Sequence, residues 1–395
     1  MNFIFVSLQR INTDRESTST SLAKELAKKH KVLYVNPPID RKSWVFKSDD
    51  VFMNKHIQLI KQRKAGVEKA ENNLWILNSE HIIESINWIP VTSLFMIFNK
   101  VNNRIFAKDI KAAIEEIGLK EYIIINDKDI FRSFYLKELL KPILYIYLDR
   151  DYTIGFKYWQ RHGIKLEPLL MQKADAIVCN STDFTMAAKM INANSFYIEN
   201  GANLELFNSE NKETEPIELR SLKRPLIGYV GALTSKRLDL NLLIHIAENL
   251  NQGTLVLIGP QDENFERSKL HQLNNVHHID KKDTKYIPSY LKYFDVCINP
   301  QVINKITIGN FPLKIIEYLS MGKPVVATAT NTMKEVFSEY VYLAESNIDF
   351  MKKIDIAVES DTILKRQKRT VYAQRFSWKN VSDNLLNVIN KLKRT

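Results

Sequence analysis

The segment Asn304–Thr330 contains residues whose types and spacing are suited to binding a charged small molecule. Pro312 can begin a helix, because the first N–H groups of a helix have no intrahelical partner, and Gly309 and Asn310 permit tight backbone just before it. A helix N-terminus presents free N–H groups and a partial positive charge, so this junction could hold a diphosphate. Glu317, about one and a half turns further along, could accept hydrogen bonds from two hydroxyl groups of a ribose. The alternative is an ordinary helix–turn–strand unit with a solvated glutamate.

Lys314 lies in the first turn of the helix that Pro312 is expected to begin. A cation at this end of a helix opposes the helix dipole, which indicates that a bound anion compensates it. We predict that the helix ends at Met321-Gly322 and that the apolar run PVVAT forms a buried strand after it. The sequence therefore places a cation and a carboxylate on one short helix.

A second candidate is the D-x-D sequence of Asp149, Arg150 and Asp151, which ends the apolar run ILYIYL. Two carboxylates at this spacing can hold Mg²⁺ or Mn²⁺ against a diphosphate. A turn in which one aspartate caps the next segment is the structural alternative. A strand-end aspartate can also act as a general base for a hydroxyl group, and we select Asp149 for that role. The adjacent His277 and His278 would point to opposite faces of a strand and could not share a metal ion.

Composition limits the class of protein and of partner. Hydrophobic residues make up 45% and charged residues 26% of the 395, which excludes collagen-like, low-complexity and wholly disordered chains. The 56 basic and 45 acidic residues give a net charge of +11, which favours a nucleic acid, a phosphate ligand or a membrane surface as partner. Cys179 and Cys297 lie in apolar runs, and two thiols form no disulfide scaffold. We expect a cytoplasmic protein without a signal peptide or a transmembrane helix.

Apolar runs alternate with helical patterns twice along the chain. In the first half, FIFVSL, KVLYVN, LWIL, YIIIN, ILYIYL and AIVCN predict strands, and helices are predicted at 18–30, 101–117, 155–172 and 183–191. The polar, acidic segment Asn208–Leu219 indicates an exposed linker, after which the alternation begins again. This order predicts two doubly wound, Rossmann-like α/β domains that face each other. We place one domain at 1–205, joined by a C-terminal helix at 376–395, and the other at 206–375.

Basic residues concentrate between Arg41 and Lys69, where eight of them accompany three acidic residues. Trp44, Phe46, Phe52 and Met53 lie among them, and the apolar segment 88–98 follows. Basic residues with exposed aromatic rings suit an anionic bilayer surface, and the same mixture could stack on single-stranded nucleic acid. A solvated face over an ordinary core is the alternative. We favour a membrane surface bound through 41–69 and 88–98, and no nucleic acid.

The segment PLKIIEYLSMGKPVVAT resembles the donor-site motif of nucleotide-sugar glycosyltransferases of the two-domain GT-B type, especially those grouped with family 4. The likeness extends to IGYVGAL with the basic residues after it, to TLVLIGP, to YIPSYLKYFDVCINP and to ENGANLELF. It covers about 175–324 and is weak before that. The resemblance implies a GT-B architecture, with two Rossmann-like domains facing across a cleft, and a glycosyltransferase that needs neither metal nor cofactor.

The resemblance also implies roles for particular residues of the donor site. Glu317 matches the ribose ligand, and Lys236 and Arg237 after Gly231 match a basic pyrophosphate ligand. We favour Arg237 as the cation that neutralises the leaving diphosphate, because arginine grips phosphate oxygens bidentately and lysine does not. The alternative for the basic pair is a solvated loop. The full predicted donor-binding set is Gly231, Lys236, Arg237, Asn304, Thr307, Gly309, Asn310, Pro312, Leu313, Lys314 and Glu317.

The sequence departs from the family at one position. These enzymes often carry a second glutamate, near the sugar, eight residues before the ribose ligand, and Gly309 occupies that position here. Asn304, Thr307 or Asn310 could supply the sugar contacts instead. The departure leaves the stereochemical outcome open between retention and inversion, and Asp149 as a general base would suit inversion.

The acceptor is expected at the N-terminal domain. The polar segment Gln9–Ser21 follows the first predicted strand, and ligands of doubly wound sheets bind beyond the carboxyl ends of the strands. We therefore predict acceptor contacts from Arg10, Arg15 and Thr18, although serine and threonine at this point could simply cap a helix. Glu167 matches a glutamate at this point in relatives, where a structural role is the alternative.

Three functional hypotheses follow from these observations. The first is transfer of a sugar from a nucleotide diphosphate sugar, which we expect to be UDP-linked, to a glycan or lipid-linked hydroxyl in surface polysaccharide synthesis. The second, motivated by Gly309, is a nucleotide-sugar epimerase or a non-catalytic sugar-nucleotide binder. The third, motivated by the net charge, is a binding module for a membrane surface or a nucleic acid.

Overall fold

The computed structural model describes residues 1–11, 13, 17–46, 48–304, 307, 309 and 311–394. The chain folds into two compact units, one formed by Met1–Glu199 with Val381–Thr395 and the other by Asn200–Asn380. Both boundaries lie a few residues from the positions placed by the sequence. We call them the N-terminal and C-terminal units.

The N-terminal unit is built on an eight-stranded sheet in the order β3-β4-β2-β1-β5-β6-β7-β8. Its strands are β1 Asn2–Ser7, β2 Lys31–Val35, β3 Gly66–Glu71, β4 Leu74–Asn78, β5 Tyr122–Asp127, β6 Leu144–Asp149, β7 Ala176–Cys179 and β8 Ser195–Tyr197. β3 pairs with β4 antiparallel, and the other neighbouring strands pair parallel. The central strands are buried along nearly their whole length, as in YIIIND of β5, because helices cover both faces of a parallel sheet.

Helices connect these strands. They are α1 Thr18–Ala27, α2 Arg41–Val45, α3 Val51–Lys61, α4 Thr92–Ile117, α5 Leu136–Leu140, α6 Lys157–Lys173 and α7 Thr182–Lys189. α4 is longer than predicted, because it takes in most of the apolar segment 88–98. In the part of the chain that the structure describes, no helix combines the length and the apolar character that crossing a bilayer requires.

The C-terminal unit has a parallel six-stranded sheet in the order β11-β10-β9-β12-β13-β14. Its strands are β9 Leu226–Val230, β10 Thr254–Ile258, β11 Val276–Ile279, β12 Val296–Asn299, β13 Val325–Thr328 and β14 Tyr342–Ala344. Its helices are α8 Leu240–Asn249, α9 Glu263–Glu266, α10 Ile287–Tyr293, α11 Leu313–Ser320, α12 Asn347–Glu359 and α13 Ile363–Ala373, and α14 Trp378–Leu392 returns the chain to the N-terminal unit.

The strand order reverses once in each unit, and this reversal positions the sites. From β9 the chain proceeds outward through β10 to β11, then returns to place β12 on the other side of β9. In the N-terminal unit β1 likewise lies between β2 and β5. The loops after the two strands at such a reversal turn opposite ways and leave a crevice beyond their carboxyl ends, where ligands of open α/β sheets bind. The candidate residues should therefore follow β9 and β12, or β1 and β5.

Gly228, in the middle of β9, is required by packing. A Cβ atom built on Gly228 would lie 2.0 Å from Cδ2 of Phe294, whose ring is fully buried against this strand. We expect Gly228→Ala to lower the free energy of unfolding of the C-terminal unit by about 1–3 kcal/mol, because the ring must move from a filled core. Thermal and denaturant unfolding measure the change.

The double variant Gly228→Ala/Phe294→Leu provides the control. Its loss of unfolding free energy should be smaller than the summed losses of the two single variants, since leucine vacates the space that the new methyl group needs. Strict additivity of the two substitutions would contradict the proposed contact.

Candidate functional site

Two glycines allow the ends of β9 and β10 to approach closely at the reversal of the C-terminal sheet. Gly231 directly follows β9 with a φ of +145°, and a Cβ atom there would lie 2.7 Å from Nζ of Lys314. Gly259 follows β10 with a φ of +144°, and its Cβ would lie 2.1 Å from the carbonyl oxygen of Gly231. Side chains at these positions would fill the crevice, so glycine keeps the strand ends open to a ligand.

α11 is fixed against the end of β9 by its own side chains. The hydroxyl oxygen of Tyr318 accepts a hydrogen bond from the backbone N–H of Val230 at 3.0 Å. One turn earlier, Nζ of Lys314 donates to the hydroxyl of Tyr229 at 2.5 Å and lies 3.9 Å from the centre of that ring. The first turn of α11 is thereby held beside Gly231, where the sequence predicts a diphosphate site.

Glu317 projects from α11 between Lys314 and Tyr318 in sequence. Burial raises the pKa of its carboxyl group to about 7, and the positive charge of Lys314 only partly offsets that effect. The side chain still keeps partial access to solvent. Among the described residues, no side chain or backbone N–H donates a hydrogen bond to this carboxylate. A desolvated but accessible carboxylate without a donor is suited to accept hydrogen bonds from a ligand.

The basic pair Lys236-Arg237 lies next to the turn after β12. The backbone N–H of Val302 donates to the carbonyl of Arg237 at 3.0 Å, and Nδ2 of Asn304 donates to the carbonyl of Lys236 at 2.9 Å. Both basic side chains are exposed. The structure therefore brings together the two basic residues and the 301–304 turn, which are far apart in sequence.

Thr307 does not fit the predicted contact with a sugar. Its side chain is fully buried, and its hydroxyl oxygen accepts a hydrogen bond from the backbone N–H of Asn304 at 3.0 Å. The side-chain oxygen of Asn304 in turn accepts from the backbone N–H of Thr307 at 3.2 Å, while Nε2 of Gln301 donates to the Thr307 carbonyl. Thr307 and Asn304 thus stabilise the turn. The buried side chain of Thr307 has no access to a ligand, contrary to the predicted contact with a sugar.

The remaining residues of the predicted donor set lie around the start of α11. Gly309 is buried, Pro312 is the N-cap residue of α11, and Leu313 is its first helical residue. α11 therefore begins one residue after Pro312, and Pro312 supplies no side-chain cap. Asn310 and, in the N-terminal unit, Arg15 lie outside the described residues.

In the N-terminal unit, Arg10 is directed inward. Its guanidinium NH1 lies 3.0 Å from Nδ1 of the buried His56, and its NH2 donates to the carbonyl of Pro37 at 2.9 Å. Nε2 of His56 lies 2.9 Å from the carbonyl of Ser79, which assigns the proton to Nε2 and leaves Nδ1 to accept from Arg10. Burial lowers the pKa of Arg10 to about 10 and that of His56 to about 4.

Thr18 is buried in the first turn of α1, where Ser17 accepts a hydrogen bond from the N–H of Thr20. This is the capping arrangement that the sequence left as the alternative for this segment. Arg10 and Thr18 therefore both follow β1, but Arg10 is held by Pro37 and His56, and Thr18 is buried in α1.

Asp149 is enclosed in an ion network and does not fit the role of a general base. Nζ of Lys128 lies 2.6 Å from Oδ1 of Asp149 and 2.6 Å from Oε1 of Glu167, and all three side chains are buried. Burial raises the pKa of Asp149, against the attraction of Lys128. A base must reach the hydroxyl group that it deprotonates. The placement therefore favours a structural role for Asp149. Glu167, which pairs with the same lysine, has a structural role as well.

The D-x-D segment is neutralised by cations of the chain itself. Arg150 pairs with Asp127 at 2.5 Å and with Asp151 at 2.8 Å, while Asp149 pairs with Lys128. Within the described ranges, no three His, Cys, Asp or Glu side chains are grouped as a metal ion would require. The carboxylates are thus committed to ion pairs.

A cavity of about 520 Å³ lies at the carboxyl ends of the N-terminal sheet, and no sequence pattern predicted it. Its lining comes from the loops and helices that follow β2, β4, β5 and β6, and includes Asp40, Lys42, Glu84, Trp88, Arg132, Lys157, Trp159 and Arg161. Four basic side chains against two acidic ones make it an electropositive cavity with aromatic walls. No spacing motif links residues from four separate segments, so only the fold could bring them together.

Comparison with known proteins agrees with this geometry. Residues 210–394 match the family model of glycosyl transferases, group 1. A protein of Bacillus subtilis (strain 168), TuaH, named as a teichuronic acid biosynthesis glycosyltransferase, is 27% identical over 227 residues. That alignment covers 54% of this chain and 56% of TuaH, so it spans little more than half of either protein.

Solved structures resemble the whole chain in fold. Sucrose-phosphate synthase from Thermosynechococcus elongatus has a TM-score of 0.67 at 16% identity, covering 100% of this chain and 99% of its own. Anabaena HepE in complex with UDP has a TM-score of 0.66 at 14% identity, and its complex with UDP-glucose one of 0.63, each covering 99% of both chains. The chain therefore has the GT-B fold of two Rossmann-like units, and its residues 210–394 resemble the glycosyl transferases group 1 family.

Proposed function

We propose that the protein is a glycosyltransferase that moves a sugar from a nucleoside diphosphate sugar to a hydroxyl group of a glycan or lipid-linked acceptor in surface polysaccharide synthesis. The observation that carries the proposal is the grouping of Gly231, Lys314 and Glu317 at the reversal of the C-terminal sheet. The group 1 family match covers that unit, and the fold is shared with HepE, which binds UDP and UDP-glucose. The name of TuaH supports a surface polysaccharide as the product.

The donor roles follow from charge and position. Glu317 accepts the two ribose hydroxyls, and Lys314 with the N-terminus of α11 binds the diphosphate beside Gly231. In the reaction the bond between the anomeric carbon and the diphosphate oxygen breaks, and its electron pair leaves with the diphosphate. Arg237 offsets that developing charge with its exposed guanidinium, and its backbone carbonyl is held next to the 301–304 turn by the N–H of Val302. The acceptor oxygen forms the new bond, and its proton passes to the released diphosphate.

Cations of the chain take the place that a metal ion would have. Lys236, Arg237 and Lys314 supply positive charge around the diphosphate, so we propose a metal-independent reaction without a cofactor. The committed carboxylates of the D-x-D segment support this assignment.

The acceptor is assigned to the cavity of the N-terminal unit. It lies at the carboxyl ends of β2, β4, β5 and β6, where ligands of such sheets bind. Aromatic side chains such as Trp159 can stack on a sugar ring, and the excess of basic residues suits an acceptor that carries phosphate or carboxylate groups. Arg10 and Thr18 would then support the adjacent loop and leave contact with the acceptor to the cavity.

Gly309 favours a second candidate function. Where related enzymes often carry a glutamate near the sugar, this chain offers no side chain, so a nucleotide-sugar epimerase or a non-catalytic sugar-nucleotide binder is the alternative. Both would bind the donor through Glu317. They differ from a transferase in that an acceptor would not increase the release of nucleoside diphosphate.

We further propose that the protein acts in the cytoplasm at the inner face of the membrane. The Arg41–Lys69 cluster lies on α2, α3 and the edge strand β3, where Val45, Phe46 and Val51 are more than three-fifths exposed. This combination of exposed apolar and basic side chains supports contact with anionic lipid.

Replacement of Glu317 by alanine tests the donor site. We expect Glu317→Ala to bind UDP about 10- to 100-fold more weakly than the wild type, because two hydrogen bonds to a charged acceptor are lost. Isothermal titration calorimetry measures the affinity. The control Glu359→Ala, at an exposed position of α12, should bind as the wild type does. Unchanged UDP binding by Glu317→Ala, or none by the wild type, would contradict the assignment.

The raised pKa of Glu317 predicts a pH dependence of donor binding. Below about pH 7 the carboxyl group is mostly protonated, and above it the carboxylate can accept both ribose hydroxyls. We expect the affinity for UDP-glucose to rise up to about tenfold between pH 6 and pH 8. The diphosphate diester of UDP-glucose does not titrate in this range, which removes the contribution of the ligand. If the affinity of Glu317→Gln does not change with pH while that of the wild type does, the titrating group is Glu317.

We expect Arg237 to affect the rate of sugar transfer more than the affinity for the donor. With UDP-sugars and a panel of glycan and lipid-linked acceptors, the wild type should release UDP in an acceptor-dependent manner, followed by mass spectrometry. Arg237→Ala should lower that rate about 100- to 1,000-fold with a much smaller loss of donor affinity. Arg267→Ala, at an exposed arginine of the same unit, is the matched control.

Two results would overturn parts of this proposal. Equal losses of rate and affinity in Arg237→Ala would reduce Arg237 to a donor ligand. Donor turnover that no acceptor increases would favour the epimerase, and donor binding without turnover would favour the non-catalytic binder.

A further inference from the structure

In the first half of α4, asparagines share the buried side with Phe95, while large apolar side chains are exposed. Three asparagines, Asn99, Asn102 and Asn103, are buried beneath it. Nδ2 of Asn99 and Nδ2 of Asn103 each donate to the carbonyl of Phe131 at 2.9 Å, and Asn102 exchanges two hydrogen bonds with the backbone of Glu84. The amides thus attach α4 to neighbouring loops.

Large apolar side chains occupy the opposite, outer side of this segment. Leu94, Phe98 and Val101 are exposed by 45%, 45% and 46%, and Ile97 beside them by 64%. Trp88 and Val91, just before the helix, are exposed by 73% and 55%. Spacings of three and four residues place the helical members on one face. Clustered exposure of this kind marks an interaction surface, whereas single exposed apolar residues do not.

The start of α6 lies directly beside α4 and extends this surface. Nδ1 of His162 lies 3.2 Å from the hydroxyl of Thr92, and the rings of His162 and Phe95 stack with their centres 4.1 Å apart. NH1 of Arg161 donates to the carbonyl of Trp88. α6 and the residue before it also expose apolar side chains: Phe156, Tyr158, Ile164 and Leu169. We call the exposed residues of both segments, 88–101 and 156–169, the α4–α6 face.

The charges on the α4–α6 face all have one sign. Five basic residues lie on it or at its border: Lys100, Arg104, Lys157, Arg161 and Lys165. The sequence contains no acidic residue in 86–108 or in 152–166. Trp88 and Tyr158 add the amphipathic rings that favour the boundary between lipid and water. Apolar, aromatic and basic groups without acidic ones match the surface of a bilayer that contains anionic lipids.

The same charges disfavour association of two copies through this face. An isologous dimer would bring five basic residues against the same five of its partner, without acidic residues to compensate them. A bilayer with anionic headgroups avoids this repulsion and accepts the apolar side chains as well. The α4–α6 face is therefore better matched by lipid than by a second chain.

We infer that the α4–α6 face is a membrane-docking surface for anionic lipid bilayers. Trp88, Lys157, Tyr158 and Arg161 belong to this face and also line the cavity of the N-terminal unit. Docking therefore brings the mouth of that cavity to the headgroup region. If the proposed function holds, on which this last step rests, the acceptor is lipid-linked and its sugar reaches the cavity from the membrane.

The test measures sedimentation of the full chain with vesicles, in the absence of any sugar nucleotide. Vesicles of phosphatidylcholine alone are compared with vesicles in which phosphatidylglycerol makes up a third of the lipid, at low and high salt. We expect the wild type to bind the anionic vesicles at least about tenfold more tightly than the neutral ones, and to lose affinity as salt rises.

Variants separate the α4–α6 face from other exposed apolar residues. Ile97→Ser/Phe98→Ser should reduce binding to the anionic vesicles at least about tenfold, because two inserted apolar side chains are removed. Ile217→Ser/Ile363→Ser removes two residues of the C-terminal unit that are 75% and 74% exposed, and should leave binding unchanged. Both variants should unfold with the wild-type midpoint and cooperativity in thermal denaturation, which shows that they fold.

Several outcomes would overturn the inference. The first is that the wild type does not prefer anionic vesicles. The second is that Ile97→Ser/Phe98→Ser binds vesicles as the wild type does, and the third is that both double variants lose the same vesicle affinity. A wild-type dimer in solution that the same substitutions dissociate would assign the face to self-association. Vesicle binding with no sugar transfer to any acceptor would instead contradict the proposed function and leave the docking surface intact.

Discussion

The candidate donor site depends on the close contact between α11 and the end of β9. Tyr318 binds the last N–H of the strand and Lys314 binds Tyr229, so the first turn of α11 cannot move away from Gly231. The absence of a side chain at Gly231 leaves the Lys314 ammonium group room, since a Cβ atom would lie 2.7 Å from it. Because β12 lies on the other side of β9, the 301–304 turn and the basic pair reach the same edge of the sheet. Every proposed donor contact therefore follows from this one packing arrangement.

Compensation of charge distinguishes structural from ligand-binding groups in this molecule. Buried Lys128 is paired with two carboxylates, buried Asp127 with Arg150, and buried His56 is neutral beside Arg10. A protein must satisfy such groups, because an unpaired buried charge costs several kcal/mol. Glu317 is the contrasting case: burial raises its pKa to about 7, and within the described residues only Lys314, one turn away, counters the effect. That difference is the physical reason to assign Glu317 to a ligand and Asp149 to the framework.

The sequence predicted the fold better than it predicted the site. Continuous apolar runs such as YIIIN and ILYIYL identify buried parallel strands, and the GT-B fold that the motif order implied is confirmed. Glycine, proline and glutamate spacing placed α11 within one residue of its start. Side-chain direction could not be predicted: Thr307 and Asp149 lie where sequence suggests a ligand, yet both are turned into buried hydrogen-bond or ion networks. The cavity of the N-terminal unit could not be predicted either, because four segments separated by dozens of residues form it.

α4 shows why periodicity can mislead at a functional surface. A helix that only had to stabilise the fold would bury Leu94, Ile97, Phe98 and Val101, since full burial of one such side chain contributes about 1.5–3 kcal/mol. Here three asparagines occupy inner positions beside Phe95, and each donates a hydrogen bond to a backbone carbonyl of a neighbouring loop. Those loops, around Glu84 and Phe131, also line the cavity. The buried amides thus shape the cavity while the apolar residues remain outside, so that the proposed lipid surface and the proposed acceptor site lie on the two sides of one helix.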